Sequence, residues 1–309
     1  MRMLDAAAVR AATPWPELIA AIAAAVAEDA ATAPERHVHP VGLPDGGTGS
    51  LLLMPAWVDG EVIGVKTVTY VPSNAGTDVP TVNAVYVLFD GRTGEPHAVL
   101  DGDELTARRT AAISALAADH LARVDAQHLL VVGTGVLSPN MARAHAAVRP
   151  LDGIEVWGRR PEAAASVAET LRAEGLPAEA SADLDASVRR ADIVSCVTGA
   201  TEPLVRGELL SEGTHLDLVG SFTPGMRESD DAAAARATIF VDTRAGALMA
   251  GDLAQPLADG VITEDSITAD LQALAAGDHP GRTSPDEVTL FKSAGFAAAD
   301  LAAARLALH

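Results

Sequence analysis

The sequence predicts an α/β protein in which a doubly wound parallel sheet is preceded by a smaller α+β domain. Extended runs without intervening helices fill residues 51–100, one long helical period follows, and strands alternate with helices from residue 128 onward. Consecutive strands favour an antiparallel sheet, whereas short apolar strands alternating with helices favour a parallel sheet covered on both faces. A chain of 309 residues is long enough for two such domains.

The first half is predicted to contain one helix followed by strands. Thr13-Pro14-Trp15-Pro16 supplies a capping residue and a first-turn proline, and apolar residues at helical spacing then predict a helix near residues 15–29. A proline- and glycine-rich stretch covers residues 33–49. The predicted strands are 51–55, 61–71 and 81–90, with a return over 97–100.

The second half is predicted to alternate between strands and helices. From Asp103 to Val124 the apolar period is that of one long helix. The predicted parallel strands are 128–133, 153–158, 191–198, 215–220 and 238–242. The alanine-rich segment 300–308 is predicted to be a helix that is compatible with either domain. We therefore expect a substrate and dimerisation domain at 1–115 with 291–309, and a dinucleotide-binding domain at 116–290.

Composition excludes several classes of protein. A formal charge of -20 argues against a nucleic-acid partner, which needs a basic surface. The single Cys196 lies in an apolar run and is expected to be a small core residue, so no disulfide framework is predicted. No apolar run is long enough for a membrane span, and the N-terminus lacks the order of a secretion signal. We expect a cytoplasmic protein without a membrane partner.

Lysine is rare in this chain, which makes the two lysines informative. Among 22 cationic residues only Lys66 and Lys292 are lysines. Lys66 is flanked by valines and isoleucine in a predicted strand, where burial can tune the pKa of an ammonium group. The alternative is an edge-strand lysine whose charge reaches solvent.

A glycine pair follows the first parallel strand. Gly133 suits the tight turn between strand and helix, and Gly135 lets a pyrophosphate approach the backbone. Helix amides from about Val136 onward would complete an anion site. The alternative is a loop that merely turns the chain. The predicted cofactor residues at this end of the sheet are Gly133, Thr134, Gly135, Val136, Leu137 and Thr198.

Two arginines follow the second parallel strand. Arg159 and Arg160 stand where an NAD-selective site places a carboxylate for the ribose 2′-hydroxyl. Arginines suit a 2′-phosphate, so we predict NADPH, with NADH as the alternative. The pair is also compatible with a solvated helix start.

The long central helix carries a second arginine pair. Arg108 and Arg109 point about 100° apart on a helix, so both cannot serve one role. Arg109 is followed by Thr110 and small residues, which leaves space for a guanidinium to bind a substrate carboxylate. We assign Arg109 and Thr110 to the substrate, while a surface pair is the alternative.

Several motifs run in order over nearly the whole chain and together resemble the ornithine cyclodeaminase and mu-crystallin family. They are Gly64-Val-Lys66-Thr-Val, Pro72-Ser-Asn74, Thr93-Gly94-Glu-Pro96, Leu100-Asp101-Gly102, Thr106 with Arg109-Thr-Ala-Ala-Ile-Ser114, Gly133-Thr-Gly135, Ala191-Asp-Ile193, Gly213-Thr-His215 and Thr289-Leu-Phe-Lys-Ser293-Ala-Gly295. The resemblance implies a dimerising N-terminal domain, a Rossmann domain and an active site between them. It also implies that Lys66 and Arg109 line the substrate pocket, with Arg36 as a second carboxylate contact.

Two departures separate this chain from the cyclodeaminases that it resembles. Phe222 stands in Gly220-Ser-Phe-Thr-Pro-Gly225 where those enzymes have an aspartate, and phenylalanine cannot accept a proton or pair with an ammonium. The acidic residue after the second strand, typical of NAD-selective members, is also missing. In contrast, residues 135–145 and the arginine pair resemble the reductases of cyclic ketimines.

The predicted reaction is hydride transfer from NADPH to the C=N carbon of a cyclic imino acid. Δ1-pyrroline-2-carboxylate would give L-proline, and Δ1-piperideine-2-carboxylate would give L-pipecolate. Lys66 is assigned to hydrogen-bond or protonate the nitrogen and Arg109 to hold the carboxylate. Ser293 and Gly295 would border the nicotinamide, or be structural, and Lys292 is interpreted as a surface charge.

Other functions remain open at this point. They are NAD-dependent ornithine cyclisation, dehydrogenation of an amino acid such as alanine, and a non-catalytic ligand-binding role like that of mu-crystallin. His120, His128, His145 and His215 lack metal-ligand spacing and are interpreted as structural or surface residues, so no metal is predicted. A homodimer is expected from the resemblance alone.

Overall fold

The computed structural model describes residues 1–44 and 46–308 and divides into two compact units. Unit 1 consists of Met1–Arg109 and Phe296–His309, and unit 2 of Thr110–Gly295. The predicted boundaries, 1–115 with 291–309 and 116–290, lie a few residues away from these. Residues 291–295 belong to unit 2 rather than to the first domain, because the strand Thr289–Lys292 pairs within the sheet of unit 2.

Unit 1 is built on a six-stranded sheet. Its elements are β1 (Arg2–Leu4), α1 (Ala6–Ala12), α2 (Trp15–Glu28), β2 (His37–Gly42), β3 (Thr48–Val58), β4 (Val62–Tyr70), a 3-10 turn (Pro72–Asn74), β5 (Val82–Asp90), β6 (Pro96–Asp101), the start of α3 (Gly102–Leu121), and α11 (Ala297–Leu306). The strand order is β1-β6-β5-β4-β3-β2, antiparallel except that β1 runs parallel to β6.

The antiparallel sheet and helix α2 agree with the sequence prediction, whereas β1, α1 and β2 were not predicted. All residues of β2 are exposed, so the strand has no apolar alternation by which to recognise it. Helix α1 has only seven residues, which is too short for its apolar residues to show a recognisable helical periodicity.

Alternation along the strands of unit 1 separates two faces. The inner face is the one against α11, and Met54, Gly64, Lys66, Tyr86 and Leu100 on it are all buried. Helix α11 packs on α2, β3 and β4. The final helix therefore belongs to unit 1, the unit to which the predicted domain division assigned it, although its composition alone was compatible with either domain.

Unit 2 holds an eight-stranded parallel sheet. Its elements after α3 are β7 (His128–Val132), α4 (Leu137–Ala146), β8 (Gly153–Trp157), α5 (Pro161–Ala173), β9 (Ala178–Ala180), α6 (Leu184–Arg190), β10 (Ile193–Cys196), a 3-10 turn (Gly207–Leu209), β11 (His215–Leu218), α7 (Asp231–Arg236), β12 (Thr238–Val241), α8 (Arg244–Leu248), α9 (Gly251–Ala258), a 3-10 turn (Glu264–Ser266), β13 (Ile267–Asp270), α10 (Leu271–Ala276) and β14 (Thr289–Lys292).

The strand order in unit 2 is β13-β12-β14-β11-β10-β7-β8-β9. The five predicted strands are present, whereas β9, β13 and β14 were not predicted as strands. The chain winds from β7 outward to β9 and then crosses back to β10 on the other side of β7. The loops that follow β7 and β10 therefore diverge, and a doubly wound sheet binds its ligand in the crevice that this leaves.

The main apolar core of unit 2 lies on one face of the sheet, where alternate strand residues such as Val194 and Leu216 meet, whereas the other face also buries polar side chains such as Ser195 and Asp217. Cys196 is fully buried within the apolar core among valines and leucines, as expected. Among the described residues, no helix combines the length and apolar character needed to cross a bilayer.

Candidate functional site

Lys66 lies in a buried charge cluster of unit 1. It stands on the inner face of β4 with only 2% of its surface exposed. Its Nζ is 2.9 Å from Oδ1 and 2.8 Å from Oδ2 of Asp300, a fully buried residue of α11. The Nε of Arg109, on α3, is 2.7 Å from the same Oδ1. One carboxylate thus holds both predicted catalytic cations.

Burial and like charge make the Lys66 ammonium acidic. Burial, followed by the charge of Arg109, lowers the pKa of Lys66 to about 8, although Asp300 opposes this shift. For Asp300, burial alone would raise the pKa, but the charges of Arg109 and Lys66 outweigh it and leave the pKa below its ordinary value. At neutral pH Asp300 is therefore a carboxylate, and Lys66 is an ammonium that can release its proton within the physiological range.

The other arginines of unit 1 have different surroundings. The half-buried Arg36 precedes β2, and its charge is one of the causes that lower the pKa of Lys66. Arg108 instead donates from Nε to Thr13 Oγ1 at 2.7 Å and stacks over the Trp15 ring at 4.1 Å. Arg36 is therefore electrostatically coupled to the cluster, whereas Arg108 joins α3 to the start of α2.

Two residues of this cluster were missed by the sequence analysis. Asp300 is the only acidic residue of the alanine-rich helix α11. A single carboxylate in such an apolar helix could have been recognised in the sequence as a candidate partner for a buried cation. Tyr86 faces Lys66 across the β4–β5 pair, and its buried hydroxyl has no hydrogen-bond partner among the described residues. Burial, followed by the charge of Asp300, raises the pKa of Tyr86 well above its ordinary value.

The glycine of Gly64-Val-Lys66 is explained by the same cluster. A Cβ at Gly64 would lie 2.1 Å from the Tyr86 hydroxyl oxygen and 2.9 Å from Leu301. No side chain fits there unless one of these residues moves.

Unit 2 contains a cavity at the carboxyl ends of β7, β8 and β10. Its volume is about 620 Å³. Its lining residues are Gly133, Thr134, Gly135, Trp157, Gly158, Arg159, Arg160, Val197, Thr198, Gly199, Ala200, Thr201, Glu202 and Leu204. Most residues predicted to bind the cofactor therefore surround one cavity.

The glycine turn has the geometry that a pyrophosphate site requires. Gly133 has a φ of 132°, and a Cβ there would lie 2.7 Å from the Val197 carbonyl oxygen. At Gly135 a Cβ would meet no atom within 4 Å, so the backbone is open to a ligand. Helix α4 begins at Leu137 without a side-chain cap. In its first turn the Ser138 amide already donates to the Gly135 carbonyl oxygen at 3.0 Å and Pro139 has no amide hydrogen, so the Leu137 amide is the group of this turn that suits an anion. These residues fit a dinucleotide.

Ser293 and Gly295 are predicted cofactor residues that do not line this cavity. The Ser293 hydroxyl donates to Asp242 Oδ2 at 3.0 Å, and the Gly295 amide donates to the same oxygen at 2.6 Å. Their visible role is to fix the turn after β14.

The interpretation of Lys292 as a surface charge is wrong. Lys292 is fully buried at the end of β14, and its Nζ lies 3.0 Å from Asp252 Oδ2. Its position in a central strand places it inside the sheet rather than at the surface.

The buried histidines belong to the interior of unit 2. His215 Nδ1 lies 2.9 Å from Thr289 Oγ1, and burial lowers the pKa of His215 to about 3, so the ring is neutral. His145 is also fully buried. Over residues 1–44 and 46–308, no group of three or more potential ligand side chains is placed to hold a metal ion.

Comparison with known proteins gives the chain its family. A family model described as the ornithine cyclodeaminase/mu-crystallin family matches residues 1–308. The chain belongs to this family. The resemblance inferred from its motifs is thereby confirmed.

Two Delta(1)-pyrroline-2-carboxylate reductases are similar to the chain over most of its length. A Delta(1)-pyrroline-2-carboxylate reductase of Paracoccus denitrificans is 42% identical over 258 residues, covering 82% of this chain and 81% of the relative. The solved Delta(1)-pyrroline-2-carboxylate reductase of Thermococcus litoralis, in complex with NADH and L-proline, is 32% identical with a TM-score of 0.93, covering 99% and 96% of the two chains.

A third protein similar to the chain has a different reaction in its name. An archaeal alanine dehydrogenase dimer with bound NAD is 28% identical with a TM-score of 0.90, covering 99% of this chain and 94% of that one. The predicted two-domain fold with a Rossmann-type sheet is confirmed, and so is the predicted class of protein, an oxidoreductase.

Proposed function

We propose that this protein is an NADPH-dependent reductase of a cyclic imino acid. Its substrate would be Δ1-pyrroline-2-carboxylate or Δ1-piperideine-2-carboxylate, and its product L-proline or L-pipecolate. The observation that carries the proposal is the buried Lys66 ammonium, paired with Asp300 beside Arg109, in a chain that also has a cavity suited to a dinucleotide. The names of the Paracoccus and Thermococcus relatives support the same reaction.

Arg109 is assigned to the substrate carboxylate. It binds Asp300 through Nε, so the edge formed by its two terminal nitrogens points away from that bond and suits a second carboxylate. The charge of Arg36 would strengthen the attraction for an anion, and Thr110 follows Arg109 on α3 with a hydroxyl that can donate. The cluster of three cations and one carboxylate favours an anionic substrate.

Lys66 is assigned to the proton. Reduction of an imine adds a hydride to carbon and a proton to nitrogen, so the enzyme must supply an acid. An acid is most effective when its pKa is near the working pH, and the Lys66 pKa of about 8 meets this condition. Asp300 would keep Lys66 charged and fix its direction through the two contacts with Nζ.

The cofactor is assigned to the cavity of unit 2. Gly133, Gly135 and the first turn of α4 would hold the pyrophosphate, and Arg159 with Arg160 would hold a 2′-phosphate. When bound, a reduced nicotinamide supplies the hydride. NADH is the alternative cofactor, since the Thermococcus relative binds NADH.

A homodimer is also proposed, on the outer face of the unit 1 sheet. We define this face by Pro55, Trp57, Val65, Val87 and Phe89, which alternate with the buried inner residues and are only partly buried. An apolar face of this kind on a soluble sheet favours association with a second surface. The alanine dehydrogenase relative is described as a dimer.

The experiment that tests the function is a substrate panel. Oxidation of NADPH and NADH is followed with both cyclic imines and with pyruvate plus ammonia, and ammonia release is followed with ornithine plus NAD. We expect rapid oxidation of NADPH with a cyclic imine. Ammonia from ornithine, or turnover confined to pyruvate, would replace the proposal with cyclodeaminase or alanine dehydrogenase activity.

Variants test the assigned residues. Lys66→Ala should abolish imine reduction while NADPH affinity stays near wild type, because Lys66 belongs to unit 1 and the cofactor cavity to unit 2. Arg305→Ala is the matched control, since this exposed cation of α11 pairs only with the exposed Glu61 in the contacts described here. Normal reduction by Lys66→Ala would overturn its role.

A further inference from the structure

Glu228 is a buried carboxylate of unit 2 that the proposed chemistry does not use. Only 1% of its surface is exposed. Its Oε1 accepts hydrogen bonds from the Thr198 amide at 2.6 Å and the Thr198 hydroxyl at 2.9 Å. Its Oε2 accepts from the Gly220 amide at 2.7 Å. Both oxygens are therefore bound to loop backbone.

These bonds join the loops that follow two neighbouring strands. Thr198 follows β10 and lines the dinucleotide cavity, and Gly220 follows β11, which is paired with β10. A Cβ at Gly220 would lie 2.1 Å from the Thr198 carbonyl oxygen, so the two loops are already in backbone contact. The buried Glu228 carboxylate adds a hydrogen bond to each of the two loops at this contact.

The second lysine anchors this arrangement. The Glu228 amide donates to Asp252 Oδ1 at 2.7 Å, and Asp252 Oδ2 lies 3.0 Å from Lys292 Nζ. Asp252 and Lys292 are almost completely buried. The segment that carries Glu228 is thus tied to α9 and β14.

We propose that Glu228 is a positioning residue for the cofactor: its carboxylate ties the loop after β10 to the loop after β11 and so holds Thr198 in the shape that binds the dinucleotide. This inference rests on the proposed cofactor site. It assigns Glu228 no contact with substrate or cofactor, and it gives the Lys292–Asp252 pair the task of fixing Glu228.

A carboxylate suits this task because it only accepts hydrogen bonds. Glutamine has the same shape, but its amide nitrogen would face either the Thr198 amide or the Gly220 amide, which are both donors. Glu228→Gln can therefore satisfy one loop and must leave a buried donor of the other without a partner. The fold should survive, while the two loops are no longer held together.

The test is direct NADPH binding by fluorescence titration, with thermal unfolding as a check on the fold. Glu228→Gln should weaken NADPH binding about tenfold, the effect of losing one charged hydrogen bond. The KM for NADPH should rise in parallel, while kcat at saturating NADPH changes by less than about threefold, because no assigned reacting group is altered.

The matched control is Asp192→Asn. Asp192 also accepts from two backbone amides, Gln127 and His128, and from Arg123, but it does so at the amino end of the sheet. The NADPH affinity of the Asp192→Asn variant should stay near that of wild type. If wild-type protein fails to bind NADPH, the proposed function falls; if wild type binds and Glu228→Gln binds equally well, the inference about Glu228 falls.

A pH series adds a readout that a general loss of stability would not produce. Burial, followed by the charge of Asp252, raises the pKa of Glu228 to about 7, against the opposing charge of Lys292. The Cys196 thiol also interacts with Glu228, and burial raises the pKa of this thiol well above its ordinary value, so it stays neutral. As pH falls through about 7, protonated Glu228 loses acceptor capacity, so wild-type affinity should fall.

NADH is the ligand for this pH series, since it has no 2′-phosphate that titrates. Wild type and Asp192→Asn should bind NADH more weakly below pH 7, whereas Glu228→Gln should show no such dependence. If Glu228→Gln does not fold, the pH series of the wild-type protein is the test. Weaker NADH binding below pH 7 would support the proposal, and a wild-type affinity that is independent of pH would overturn it.

Discussion

Both lysines of this chain are buried against an aspartate, yet their surroundings differ. Lys66 meets Asp300 but also lies within reach of the charges of Arg109 and Arg36, which together with burial lower its pKa to about 8. Lys292 meets Asp252, with Glu228 as a further carboxylate in the same network. The first environment suits a proton donor, and the second suits a structural ion pair.

The pH dependence of turnover follows from the first environment. Lys66 donates only as an ammonium, and the ammonium fraction falls as pH rises through about 8, so kcat/KM should fall above that pH. The charge of Asp300 raises the pKa of Lys66, so Asp300→Asn should move this alkaline limb to lower pH. Steady-state rates from pH 6 to 10 provide the measurement.

Lys66→Arg identifies the group that causes the limb. A guanidinium does not titrate in this range, so any activity that remains should lack the limb. A limb that persists at the same pH in Lys66→Arg would belong to another group, and the assignment of Lys66 as proton donor would be wrong.

Cofactor selectivity is a second property set by single residues. Arg159 lines the cavity after β8, where a cation suits a 2′-phosphate. Arg159→Asp should shift the ratio of kcat/KM for NADPH over NADH towards NADH by about tenfold or more, the effect of replacing attraction with repulsion. Arg189→Asp is the control, because Arg189 is exposed on α6 and does not line the cavity. An unchanged ratio would place the 2′-phosphate elsewhere.

At the scale of elements, the two glycines in the turn between β7 and α4 are expected to contribute differently to stability and to cofactor binding. At Gly135 an added Cβ meets no protein atom, so Gly135→Ala should leave the melting temperature nearly unchanged and still lower NADPH affinity by blocking the ligand's approach. Gly133→Ala should also destabilise the fold, by about 1–3 kcal/mol, because the φ of 132° and the Val197 carbonyl both oppose a Cβ.

Thermal unfolding and NADPH titration of both glycine variants are the measurements. Equal affinity of Gly135→Ala and wild type would mean that no ligand passes over this turn. That result would contradict the cofactor site while leaving the chemistry of the Lys66 cluster untouched.

At the scale of the whole molecule, the outer face of the unit 1 sheet predicts a dimer. Wild type should have twice the 31.6 kDa mass of the chain in solution. Val65→Asp places a charge in the middle of this face and should give monomers, because a buried unpaired carboxylate opposes association. Ala24→Asp, on the exposed side of α2, is the control. Light scattering after size exclusion measures both, and a monomeric wild type would contradict the prediction.

Periodicity and residue chemistry by themselves determined much of this protein. Extended runs without intervening helices predicted the antiparallel strands of unit 1, and short apolar runs predicted five strands of unit 2. The glycine pair after β7 and the single lysine in an apolar strand indicated the two candidate sites. These features are local, because an extended or apolar run and the glycines of a turn involve only residues that are neighbours in the chain.

Only the tertiary structure decided which groups meet. Asp300 bonds Lys66 across 234 residues of chain, β14 enters the middle of the sheet from the end of unit 2, and Glu228 joins two loops through backbone amides. Buried charged groups pair with whichever groups the packing brings close. How far apart two residues lie in the sequence does not show whether they meet in the folded protein. The sequence therefore indicated which residues could react, and the packing of α11 and β14 determined what each lysine is paired with.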